Sequence, residues 1–88
     1  MEIRSVLGER LRRRRSWLGL NQLELADKTG IPYQVISRLE HGHQSLYVER
    51  LATLAQTLQV SADYLMGLTD DPTPAKKRPR PRKAAPVG

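Results

Sequence analysis

The chain has 88 residues, no cysteine and a net charge of +6, a length that suits one small domain with a core marginal unless it packs well or gains a partner. Without thiols, disulfides and thiolate metal sites are excluded, and His41 and His43 have no carboxylates at ligand spacing, so no metal and no cofactor is expected. No apolar run approaches the ~18 residues of a membrane helix, and the opening "MEIRSVLGER" lacks the apolar segment of a signal peptide, so a cytosolic protein without membrane contact is expected.

The positive charge is unevenly placed. Residues 1–71 carry nine Lys and Arg and all nine Asp and Glu, whereas the other six cations, Lys76, Lys77, Arg78, Arg80, Arg82 and Lys83, all follow residue 71. Net charge therefore speaks for the C-terminal segment, and any case for the rest must come from local arrangement.

Five helical segments run through residue 69 and no window shows strand alternation, which makes the fold class all-α. The first spans about Ser5 to Leu18, with Leu7, Leu11 and Leu18 on one face and Gly19 as its stop. The second opens at Asn21, with Glu24 three residues on to complete a capping box, and stops at Gly30. In the third, Pro32 suits the first turn because its missing N–H has no helical partner there, and Gly42 closes it. The fourth covers about Leu46 to Leu58 and turns Leu51, Leu54, Ala55 and Leu58 inward. A fifth follows Ser61, a potential N-cap for "ADYLMGL".

From Asp70 the composition changes. Residues 70–88 hold five of the six prolines, no aromatic residue and almost nothing to bury, so a domain over 1–69 and a disordered Pro-rich basic tail over 70–88 are expected. The tail reads as a cationic arm for any nucleic acid, or as a linker to a further domain.

The stretch "NQLELADKTGIPYQVISRLEHG" is two short helices joined by a tight turn. Gly30 accepts positive φ there, and Ala26 with Gly30 lets the helices cross closely. Leu25, Ile36 and Leu39 close the apolar side, which leaves Tyr33, Gln34, Ser37 and Arg38 outward. Two helices and a glycine turn also occur in bundles that touch no nucleic acid.

Taken together, "LGERLRRRR", "LGLNQLELADKTGI", "ISRLEHG" and "LATLAQTLQVSADYLMG" resemble, in this order, the helix-turn-helix family of lambdoid phage repressors and Cro proteins, the XRE family. The resemblance covers about residues 4 to 68. It implies a compact five-helix bundle of the lambda-repressor-like type, with the third helix in the major groove of double-stranded DNA and the second bracing it across the backbone. Under that reading Gln34 pairs with adenine, Arg38 with guanine O6 and N7, Tyr33 contacts a thymine methyl or a phosphate, and Ser37 is an adaptable fourth contact. Asn21 and Gln22 at a helix N-terminus, Arg12 and Arg13, and the loop residues His43, Gln44 and Ser45 would hold phosphates.

The resemblance also implies a partly buried ion pair between Arg15 and Glu40. Arg14 departs from the family, where an apolar residue is common, so its stem is expected over the core with its head in solvent. Trp17 is expected to pack at the edge of the first helix. Tyr64, Leu65, Met66 and Leu68 give the fifth helix more apolar side chains than a small core requires, so they are expected to form the interface of a homodimer.

The function expected is that of a bacterial or phage transcriptional regulator, a dimeric repressor reading a palindromic operator with half-sites about one DNA turn apart. The alternative is an antitoxin or adaptor module that binds protein. No enzyme is expected, since paired acid and base, nucleophile motif and phosphate loop are missing, and nothing points to a small-molecule ligand.

Overall fold

The computed structural model describes residues 2–74; the six tail cations expected to contact DNA lie outside the described residues. Among the described residues there are five helices and no strand. They are α1 (Ile3–Trp17), α2 (Gln22–Thr29), α3 (Tyr33–Glu40), α4 (Val48–Leu58) and α5 (Ala62–Met66).

Each boundary has a local cause. α1 starts two residues before the expected Ser5 because the Glu2 carboxylate accepts the Arg4 N–H and caps it. α2 carries the full capping box: Asn21 Oδ1 accepts the Glu24 N–H at 2.7 Å, and Glu24 Oε1 accepts the Asn21 N–H at 2.8 Å. It ends at Gly30, whose φ of 75° lies in the left-handed region that side chains with a Cβ avoid. Pro32 stands just before α3 as its N-cap and not inside the first turn, with its carbonyl accepting the Val35 and Ile36 amides. α4 begins at Val48, two residues later than expected. Gln59 ends α4 with φ 60°, a conformation usually left to glycine.

The core forms where the apolar stripes of all five helices meet. Leu11, Leu25, Ile36, Leu39, Leu54, Leu58 and Leu65 are completely buried, with Leu7, Ile31, Ala55 and Val60 beside them. α1 packs on α3 and α5, α2 on α3 and α4, and α4 on α5. Gly8 sets the closest of these approaches, because a Cβ built there would run into the Leu39 carbonyl oxygen. Helix α1 can therefore lie against the C-terminal turn of α3 only with glycine at this position.

Two basic residues interrupt the inward stripe of α1, and each finds polar backbone to bind. Arg14 does not send its head to solvent as expected: its Nε donates to the Leu58 carbonyl at 2.9 Å, and its guanidinium lies 4.2 Å from the Trp17 ring centroid. α4 has no basic residue in its own last turn, so Arg14 supplies from α1 the cation that a helix C-terminus favours. Trp17 is covered on that face by Arg14 and is otherwise exposed. Arg10 donates from Nη1 to the carbonyls of Tyr64 and Thr69, both at 2.7 Å, and its guanidinium covers the Tyr64 ring at 4.3 Å. Its Nη2 reaches Asp70 at 2.8 Å, and the Ser61 N–H donates to the Pro72 carbonyl at 3.0 Å. The domain's contacts thus extend to Pro72, three residues beyond the boundary expected after 69.

Candidate nucleic-acid interface

The helix pair α2–α3 is held by one carboxylate. Glu40, the last residue of α3, accepts from Arg15 Nε at 2.6 Å and Nη2 at 2.9 Å, and from Gln22 Nε2 at 3.1 Å. Arg15 Nη1 donates to the Leu20 carbonyl, so the group joins α1, the α1–α2 turn, α2 and α3. The Glu40 side chain is 2% exposed and that of Arg15 13%. Two parallel N–H···O bonds to a buried carboxylate fix direction as well as distance. The hydrogen bond to Glu40 raises the Arg15 pKa above its ordinary value, burial opposes the rise, and the Glu40 charge adds to it.

This clamp changes how two phosphate candidates are used. The Asn21 Oδ1 is taken up by the capping box, and one N–H of the Gln22 amide by Glu40. Each side-chain amide keeps N–H groups that these bonds do not use, and helix geometry leaves the backbone Gln22 and Leu23 N–H groups without intrahelical acceptors at the positive end of α2. Arg13 is paired with Glu9 across one turn at 3.1 Å. Arg12 is exposed and makes no ion pair among the described residues; it lines an open cleft of about 380 Å³ between α1 and the end of α3, with Ser5, Val6, Glu9, Glu40, His41 and Gly42. In the α3–α4 loop, His43 and Ser45 are exposed and Gln44 half-buried, and the His43 N–H donating to the Arg38 carbonyl ties the loop to α3.

On α3 itself, Gln34 and Arg38 are exposed one turn apart, Tyr33 is 43% exposed, and Ser37 is half-buried. Ile36 and Leu39, completely buried, fix the opposite face. No acidic side chain stands in the first turn of α3, and its N-cap, Pro32, makes no side-chain hydrogen bond. The first turn of α3 itself therefore contributes no negative charge.

One expected interface residue is corrected. Leu65 is completely buried in the core, where it cannot reach a second copy. Tyr64 is half-buried under Arg10, Met66 is half-buried, and Leu68 is 65% exposed. The five-residue helix carries its inward stripe on Leu65, which an apolar run alone does not separate from its outward neighbours. Gly8, Arg10 and the Gln22 bridge were not singled out by sequence. For Arg10 a signal exists: it stands three residues after Leu7 on an inward stripe, and a cation there calls for a buried acceptor. Among the described residues no group of three or more His, Cys, Asp or Glu could hold a metal ion, and no helix is long and apolar enough to cross a membrane.

Comparison with known proteins places this geometry. The family model described as helix-turn-helix matches residues 11–65. The HTH-type transcriptional regulator YobD of Bacillus subtilis is 37% identical over 70 residues, which are 80% of this chain and 62% of the relative. The chain therefore spans less than two thirds of that relative's length. It matches nearly all of another, the HTH-type transcriptional regulator y4dJ of Sinorhizobium fredii, with 37% identity over 81% of this chain and 92% of the relative. Among solved structures, the P22 c2 repressor in complex with a synthetic operator superposes with a TM-score of 0.66 at 37% identity, over 68% of this chain and 91% of that one. The family model covers more than half of the chain and the five-helix fold agrees with the solved neighbour: the chain belongs to the helix-turn-helix family of the XRE type, a family of DNA-binding transcriptional regulators.

Proposed function

We propose that the chain is a sequence-specific regulator that binds double-stranded DNA as a homodimer, lays α3 in the major groove of a palindromic operator and represses transcription. The carrying observation is the exposed pair Gln34 and Arg38 on a helix whose far end is clamped by Glu40 to both α1 and α2. A fixed helix can hold a bidentate amide and a guanidinium at constant spacing, which adenine and guanine edges require. The operator in the P22 c2 repressor structure supports this choice of ligand.

Tyr33 and Ser37 flank the two readers. Phosphates would sit on the α2 amides of Gln22 and Leu23, on Arg12, and on the loop at His43, Gln44 and Ser45. The dimer surface is assigned to Leu68 and Met66 with the edge of Tyr64, and an exposed leucine beyond α5 favours that assignment. The basic segment Lys76–Lys83 adds sequence-independent, salt-sensitive affinity. The test is selection from random duplexes by the full chain. A recovered palindrome with half-sites about 10 base pairs apart supports the regulator. Indifference to duplex DNA contradicts it and favours a protein-binding adaptor.

A further inference from the structure

The outward face of α3 does not end at Arg38. Gln34, Arg38 and His41 follow at i, i+4 and i+7, which puts them in one row, and all three are exposed. The imidazole of His41 is held: its Nδ1–H donates to the Ser37 carbonyl at 2.7 Å. A carbonyl oxygen can only accept, so Nδ1 carries the proton, and Nε2 of the neutral ring is an acceptor. The His43 ring centroid lies 5.9 Å away, and His41 lines the α1–α3 cleft.

We propose that His41 is a further base-reading residue, whose Nε2 accepts from the exocyclic amine of cytosine or adenine one step beyond the bases met by Gln34 and Arg38. This rests on the DNA-binding reading above. A neutral, oriented acceptor discriminates amine-bearing base edges from thymine O4 and guanine O6, which are themselves acceptors. The charged groups around the ring leave that role open. On the α1 side of the cleft, Glu9 is engaged by Arg13, and Arg12 makes no ion pair among the described residues; on α3, Glu40 is engaged by Arg15 and Gln22.

The experiment is operator selection followed by affinity measurement at several salt concentrations, with full-length wild type, His41→Ala and Arg38→Ala side by side near pH 8. The expected result is that His41→Ala keeps the positions lost in Arg38→Ala but loses about 5- to 100-fold discrimination at one other position per half-site, with the salt slope unchanged. An unchanged operator preference in His41→Ala overturns the proposal. So does a uniform loss of affinity with a salt slope shallower by about 0.9, the signature of a phosphate contact. If wild type recovers no preferred sequence, the regulator reading fails first, an outcome distinct from both.

Discussion

Arg15 and Glu40, 25 residues apart in sequence, meet through two hydrogen bonds of 2.6 and 2.9 Å with both side chains withdrawn from solvent. Removing either partner strands the other charge, so Arg15→Ala and Glu40→Ala should each cost about 3 to 5 kcal/mol. The double variant should cost clearly less than their sum, because the second change removes the stranded charge. Urea unfolding of the four proteins measures this, and additive losses would show that the two side chains act independently.

The pH dependence of that pair follows from the raised pKa of Arg15. A group whose folded pKa is raised contributes fully below its unfolded value, which for arginine lies far on the alkaline side, and loses the contribution only as pH rises through the folded value. The stability difference between wild type and Arg15→Ala should therefore show no Arg15-dependent decline between about pH 7 and about pH 10. A wild-type stability that fell over this interval while Arg15→Ala held constant would contradict it.

Arg10 and Asp70 form an ion pair of unequal partners, with side-chain exposures of 18% and 98%. The carboxylate is solvated, so Asp70→Asn should cost at most about 0.5 kcal/mol. Arg10→Ala also loses the bonds to the Tyr64 and Thr69 carbonyls and the ring contact, and should cost about 1 to 3 kcal/mol. It should also speed hydrogen exchange at the Ser61 amide, which donates to Pro72. Equal losses from the two substitutions would mean that the ion pair, and not the backbone contacts, holds the segment.

Gln59 offers the reverse test, a gain. Its φ of 60° is costly for a residue with a Cβ, and relief exceeds the added chain entropy of glycine, so Gln59→Gly should stabilise the fold by about 0.5 to 1 kcal/mol. Thermal unfolding at a lower temperature than wild type would contradict this.

Much of the fold is legible in sequence because the signals are local. Asn21 with Glu24, Gly30 after α2 and the spacing of Leu25, Ile36 and Leu39 each act within a few residues. What escapes that reading depends on distant partners. Arg14 binds Leu58 across 44 positions and Arg10 binds Thr69 across 59, so nothing near either arginine states its acceptor. Gly8 looks like a weak helix residue until the Leu39 carbonyl lies against it. Leu65 and Leu68 look alike in composition, yet one lies in the core and the other outside it, a distinction set by where a five-residue helix docks. The outward face of α3 is the easier part, since Gln34 and Arg38, opposite Ile36 and Leu39, can only point outward.

The central claim is that α3 reads bases through Arg38, and the direct measurement is affinity of wild type and Arg38→Ala across a panel of single-base operator variants. The predicted result is a loss of about 1 to 3 kcal/mol on the best operator, with preference flattened at one position per half-site and urea stability unchanged, because Arg38 is exposed and makes no ion pair among the described residues. An Arg38→Ala protein that ranks the operator variants as wild type does would contradict base reading by this residue.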